Sequence, residues 1–207
     1  MNRDAMPRRL SALSPLLVLV LTACQARSPA VEGPSPDGVD LRGAAIGGPF
    51  ELVDKTGKTV RWSDFAGKYR VVYFGYAYCP DVCPTDVQRM AQGLRLFART
   101  DPAAAKRVQP IFITVDPERD TPAKVGEFAA AFSPDLIGLT GTPAQIEAAK
   151  SAFKVYSSRG AAQPGGGYLV NHSNLTYLFD PNGKPLGTLP TDKGPEAVAA
   201  ELKRWVR

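Results

Sequence analysis

The sequence predicts one α/β domain of three layers, with helices on both faces of a mixed central sheet and a β-hairpin at the N-terminal end. Three observations predict it. Two runs, Val-Val-Tyr-Phe-Gly at 71–75 and Ile-Phe-Ile-Thr-Val at 111–115, are β-branched and aromatic without polar alternation, as in strands buried on both faces. Each is followed by a segment whose apolar residues recur at three- and four-residue spacing, the mark of an amphipathic helix. The chain then closes on a hairpin signal and a last amphipathic segment.

Taken in order, residues 50–53 and 59–62 flank Asp54-Lys55-Thr56-Gly57 and read as a β-hairpin around a turn. Residues 70–78 hold the first buried strand. A helix follows, with Pro84 suited to its first turn and Val87, Met90, Ala91, Leu94, Phe97 and Ala98 on one face. After the second strand, Thr121-Pro122 opens a helix through Val125, Phe128, Ala129 and Phe132, and residues 137–139 form a short strand. Thr142-Pro143-Ala144-Gln145 supplies a cap, a first-turn proline and a capping-box partner for a helix to about residue 156. Residues 157–167, with three consecutive glycines, are expected as a loop. Asp180-Pro181-Asn182-Gly183 turns a hairpin between 177–179 and 185–189, and 195–206 is the closing helix.

The N-terminus has a different character. Arg3, Arg8 and Arg9 precede an apolar run at 10–21, too short to span a bilayer comfortably, so residues 1–23 read as an export signal. Leu21-Thr22-Ala23-Cys24 resembles the bacterial lipobox, which makes Cys24 the lipidated first residue of the mature chain. Residues 24–48, rich in Pro, Gly, Ser and Ala, are then a flexible tether, and residues 49–207 the folded domain. The expected location is the bacterial cell membrane, with the domain on the periplasmic or extracytoplasmic side. Losing the signal takes the net charge from +5 to about +3. With no lysine-arginine run and no interleaved aromatics, the mature part lacks a nucleic-acid footprint.

Cys79 and Cys83 fall between the first buried strand and its helix, where helix amides and the helix dipole lower a thiol pKa. One reading is a stabilising disulfide of an exported protein. A loop this short removes little unfolded-state entropy, which favours chemistry over stapling. His172, the only histidine, sits past the glycine-rich loop and before the strand at Tyr177. Alone it is an ordinary structural residue; together with two thiolates it completes a soft S,S,N donor set suited to Cu(I) and lacking the fourth ligand of a closed zinc site.

Cys79-Pro80-Asp81-Val82-Cys83-Pro84, Thr114-Val115-Asp116-Pro117-Glu118-Arg119-Asp120-Thr121-Pro122 and Val170-Asn171-His172-Ser173 together resemble the Sco (SenC/PrrC-like) family of cytochrome oxidase assembly proteins over about residues 49–206. The resemblance implies a thioredoxin-like fold. It also implies copper, as Cu(I) or as both Cu(I) and Cu(II), on Cys79, Cys83 and His172. The implied partners are cytochrome oxidase subunit II or another copper-oxidase subunit as acceptor, a periplasmic copper donor and a thioredoxin-like reductant. Reduction of the acceptor's disulfide by Cys79 and Cys83 is a further implied role. One departure is Asn171, where the family usually has an aspartate. Asp116 and Asp120 match family residues near the site and read either as support for it or as turn formers; Asp81 reads as a turn residue. Tyr73, Phe74, Tyr76 and Tyr78 read as core or pocket wall.

Two rivals share these residues. A metal-free thiol-disulfide reductase or peroxidase is one, since Val82-Cys83-Pro84-Thr85-Asp86 echoes the peroxiredoxin nucleophile segment. Tyr76 and Pro80, however, stand where that motif needs a proline and a threonine or serine. The other is a copper sensor or store, which differs only in what accepts the metal.

Overall fold

The computed structural model describes residue 1 and residues 33–35, 37–163 and 166–207. Cys24 and the apolar run before it lie outside the described residues. No helix among the described residues is long and apolar enough to cross a membrane.

Residues 31–207 form one compact unit. The strands are β1 (Glu51–Val53), β2 (Thr59–Arg61), β3 (Tyr69–Gly75), β4 (Val108–Thr114), β5 (Ile137–Leu139), β6 (Ser157–Ala162), β7 (Tyr168–His172), β8 (Thr176–Phe179) and β9 (Pro185–Leu189). The helices are α1 (Val82–Thr100), α2 (Pro102–Ala105), α3 (Pro122–Phe132), α4 (Pro143–Phe153) and α5 (Pro195–Trp205). The central sheet has the order β5-β4-β3-β8-β9. β3, β4 and β5 run parallel, joined by helical crossovers, and β8 and β9 run antiparallel to their neighbours. This is the expected mixed sheet of a thioredoxin-like α/β domain. β1 and β2 form the expected hairpin, linked to the end of β5 through paired Val53 and Thr140.

Alternation along β3 divides the core. Phe74 faces α4, where Phe153 meets it at a ring-centroid distance of 5.3 Å and gathers Phe50, Trp62, Tyr177 and Phe179 around itself. Tyr73 faces the other layer, stacking on Phe112, which in turn meets Phe128 of α3. α1 belongs to this second layer and packs on α5 at Gly93, where a Cβ atom would fall 2.5 Å from Val198 Cγ1. Burying each of these phenylalanines contributes about 1.5–3 kcal/mol, so the aromatic cluster under α4 is a main anchor of the fold.

The caps read from the sequence are in place. Thr121 Oγ1 accepts from the Lys124 amide, and Thr142 and Gln145 form a reciprocal capping box. α4 stops at Phe153 because Lys154 adopts a left-handed conformation (φ 56°), ending the helix before residue 156.

Two regions differ from expectation. Residues 157–162, expected as loop, are strand β6, paired antiparallel with β7 in a separate two-stranded sheet. Its residues are exposed or half-buried Ser, Arg, Gly and Ala, so no apolar alternation marks it. Residues 39–41, assigned by sequence to the tether, lie along β9: Asp40 pairs with Gly187, and the Leu41 amide donates to the Leu186 carbonyl. Backbone hydrogen bonds need no side-chain pattern, which is why this docking leaves no sequence signal.

Candidate metal centre

The parallel strands end at the side of the sheet where a thioredoxin-like fold places its chemistry, and β3 delivers its last residue, Gly75, to that edge. A Cβ at Gly75 would sit 2.9 Å from Tyr73 Cε1, 3.0 Å from Phe112 Cε2 and 3.1 Å from Cys83 Sγ. The missing side chain is what lets the Cys83 sulfur settle onto the sheet. Residues 76–81 then turn the chain into α1, and Cys83 occupies that helix's first turn with none of its surface exposed.

Asp81, the N-cap residue, makes no side-chain cap. The sulfur of half-buried Cys79 takes over that task, accepting from the Cys83 amide at 3.5 Å. The hydrogen bond from Cys83, helped by those from the amides of Asp81 and Cys83, outweighs burial and draws the Cys79 thiol down to about 3. The neighbouring Cys83 thiol, donating to Cys79 and buried, is pushed up. The two sulfurs are thus driven apart, Cys79 toward the thiolate and Cys83 toward the thiol.

His172 arrives from another direction, as the last residue of β7. Its Nδ1 lies 2.8 Å from the Ser173 carbonyl oxygen, which only accepts, so Nδ1 carries the proton. The lone pair is thereby left on Nε2, 3.0 Å from Cys83 Sγ. Tyr73 and Tyr76 meet the imidazole edge-on at 6.3 and 5.9 Å and fix its plane. The donor atoms of Cys79, Cys83 and His172 all lie within 4.8 Å of one another, two sulfurs and one imidazole nitrogen that one small soft cation can bridge. The backbone carbonyl behind the imidazole is the support that ligand histidines generally have.

A polar frame holds the two arms together. Asp120, fully buried, accepts from the Ala77 amide (2.9 Å) and from Thr114 Oγ1 (2.6 Å), which ties the cysteine turn to the end of β4. Burial raises its pKa. Asp116 accepts from Tyr168 Oη (2.7 Å) and Arg119 Nε (2.6 Å), and Arg119 and Arg159 each lie over the Tyr168 ring, at 3.6 and 3.7 Å. Tyr76 Oη accepts from the Val170 amide at 3.2 Å. Neither aspartate contributes to the donor cluster; both are positioning residues. Asn171 is exposed opposite Ser158 and adds no charge beside His172.

Of the aromatic residues read as core or wall, Tyr73 and Tyr76 line the site, Tyr78 is half exposed beside it, and Phe74 faces the opposite layer. Sequence reasoning missed Tyr168, Arg119 and the Ser173 carbonyl. Tyr168 had one available signal, an aromatic side chain directly after three glycines.

The sequence model of SCO1/SenC matches residues 39–207. The chain belongs to the SCO1/SenC family. Protein SenC of Rhodobacter capsulatus, a member by name, is 46% identical over 163 residues, covering 78% of this chain and 71% of its own. Among solved structures, Bradyrhizobium japonicum ScoI with copper bound is 40% identical with a TM-score of 0.70, covering 78% of this chain and all of that one. Yeast Sco1 with copper bound is 34% identical with a TM-score of 0.69, covering 77% of this chain and 87% of that one. The family match reaches back to residue 39, which agrees with the docking of residues 39–41 along β9.

Proposed function

We propose that this protein carries copper on Cys79, Cys83 and His172 and delivers it to the dinuclear copper centre of subunit II of a respiratory oxidase, while anchored to the membrane through Cys24. The observation that carries the reading is the convergence of two sulfurs and an Nε2 lone pair within 4.8 Å, with Nδ1 already committed to a carbonyl. Copper is held as Cu(I), for which a thiolate-rich set is matched, and Cu(II) is a second state the imidazole favours. The copper-bound family structures support the metal's identity. Cargo has to leave again, and a three-donor site with two half-buried ligands leaves a side open to an incoming donor.

The state of the cysteines supports a second, compatible activity. Cys79, a half-buried thiolate, attacks one sulfur of a partner disulfide, forming a mixed disulfide and releasing one partner thiolate. Cys83, losing its proton, then attacks Cys79 Sγ, closing the Cys79–Cys83 disulfide and releasing the second partner thiol. Two electrons pass to the partner, and a thioredoxin-like reductant restores the pair. Such a step prepares an acceptor's cysteines for metal.

Reduced protein loaded anaerobically with Cu(I) should retain about one copper per chain, and a Cys79→Ser, Cys83→Ser variant should retain none. Equal retention by the variant would overturn the site. Deleting the protein should lower copper-oxidase activity in a way that added copper partly restores; a fully active oxidase would remove the delivery role and leave the reductase.

A further inference from the structure

The domain has two chemically distinct ends. The metal ligands stand where β3 ends and α1 begins. At the opposite end, where α1 finishes and β3 and β4 start, exposed Lys68, Arg95, Arg99, Lys106 and Arg107 gather against the acids Asp101 and Asp135. Lys68, Arg95 and Lys106 rim a groove of about 640 Å³ whose floor is apolar, built from Leu94, Ala98, Pro102 and Val108 among others. The distance between the ends follows from α1, since Cys83 and Arg99 are sixteen residues apart on one helix, roughly 24 Å.

The chain enters the folded unit at the basic end. The Gly33 carbonyl accepts from Arg204 Nε at 3.4 Å, and the Ser35 amide donates to Glu201 at 3.0 Å, both on the last turns of α5. That helix finishes where the Arg207 amide meets Tyr69 Oη at the start of β3. With the anchor at Cys24, eight residues lie between it and Gly33, a reach of at most about 32 Å even fully extended. The entry point thus stays close to the headgroups, and an anionic leaflet attracts cations that come within about a Debye length.

We infer that the end of the domain carrying Lys68, Arg95, Arg99, Lys106 and Arg107 docks on an anionic lipid bilayer, holding Cys79, Cys83 and His172 on the face turned away from it. The inference rests on the membrane anchoring proposed above. Docking replaces a freely swinging domain with an oriented one, so a partner rooted in the same membrane must reach over the domain to the ligands.

The full lipidated chain, purified from membranes, is incorporated into vesicles of phosphatidylcholine alone and of phosphatidylcholine with phosphatidylglycerol, and amide hydrogen exchange is followed. The expected result is exchange across residues 94–110 slowed by roughly threefold or more in the anionic vesicles, with residues 76–83 unchanged and the protection lost in high salt. A Lys68→Glu, Arg95→Glu, Lys106→Glu variant should lose the protection while still loading copper, and a Lys58→Glu, Lys124→Glu control should keep it. Equal exchange in both vesicle types, or protection that survives in the triple variant, overturns the docking. Flotation separates the two readings. A chain that floats with neutral vesicles is anchored whatever its exchange shows. A chain that floats only with anionic vesicles, and not as the triple variant, sinks the anchor and keeps the docking.

Discussion

The cysteine arm and the histidine arm of the centre are built in opposite ways. Cys79 and Cys83 sit at a junction of the central sheet and a 19-residue helix, with Cys83 wedged against Tyr73 and Phe112 at the bare Cα of Gly75. His172 ends a two-stranded sheet that, among the described residues, pairs with no strand of the central sheet and buries only Val170. That valine joins the core, and the rest of the sheet's hold on the domain is largely polar: Tyr168 on Asp116 between two guanidinium groups, and Tyr76 Oη accepting from the Val170 amide. The contrast teaches that donors of one site can be placed by different means, two by the packing of the central core and one by a small sheet fastened at its side. The sheet-helix junction sets the place of the two sulfurs, and the smaller sheet brings the imidazole to within 4.8 Å of them.

Three substitutions test that contrast. The largest effect is expected from His172→Ala, which removes one donor of three and should weaken Cu(I) retention on the order of a hundredfold, about 2.7 kcal/mol. The melting temperature of the metal-free protein should not change, because β7 shares no pairing with the core sheet. Retention unchanged from wild type would take the histidine out of the site; a large fall in melting temperature would mean that its arm is part of the core after all.

Gly75→Ala comes next. The new methyl group meets Tyr73, Phe112 and Cys83 Sγ at 2.9 to 3.1 Å, and overpacking of this kind costs about 1–3 kcal/mol. Urea unfolding should show that loss together with weaker copper binding. Wild-type stability with intact binding would show that the cysteine arm yields more readily than its packing implies.

Tyr168→Phe should have the smallest effect. It removes the 2.7 Å bond to Asp116 while keeping the ring between Arg119 and Arg159, a change of about 1 kcal/mol. Faster hydrogen exchange confined to residues 157–172, with β3 and β4 unaffected, would localise the loss to the histidine arm. Acceleration spreading into the central sheet would join the two arms into one cooperative unit.

The same division governs what could be read from the sequence. The cysteine arm and the central domain around it are legible because burial on both faces, helical periodicity and capping chemistry all leave marks: the run at 71–75, the stripe from Val87 to Phe97, and the caps of α3 and α4 at Thr121 and at Thr142 with Gln145. The three donors are legible as residue types, and the motif resemblance joins them. The histidine arm is nearly silent. β6 is Ser-Ser-Arg-Gly-Ala-Ala, a strand held by backbone bonds to β7 rather than by an apolar face, so it looks like loop. The Tyr168–Asp116 contact spans 52 residues and follows from no local pattern. Residues 39–41 are invisible for the same reason, as their bonds to β9 are all main-chain or to one threonine hydroxyl.

Cys83 is wholly buried while Cys79 and His172 are half exposed, so the three donors form a floor and a rim. An incoming ligand meets the rim first and can displace either rim donor without touching the floor. If copper is handed on from this centre as proposed, access would set the order of exchange, with the sulfur over Gly75 the last donor an acceptor could reach. On that proposed role the rim would be the way in and out, and side chains that widen or narrow it would tune speed more than tightness.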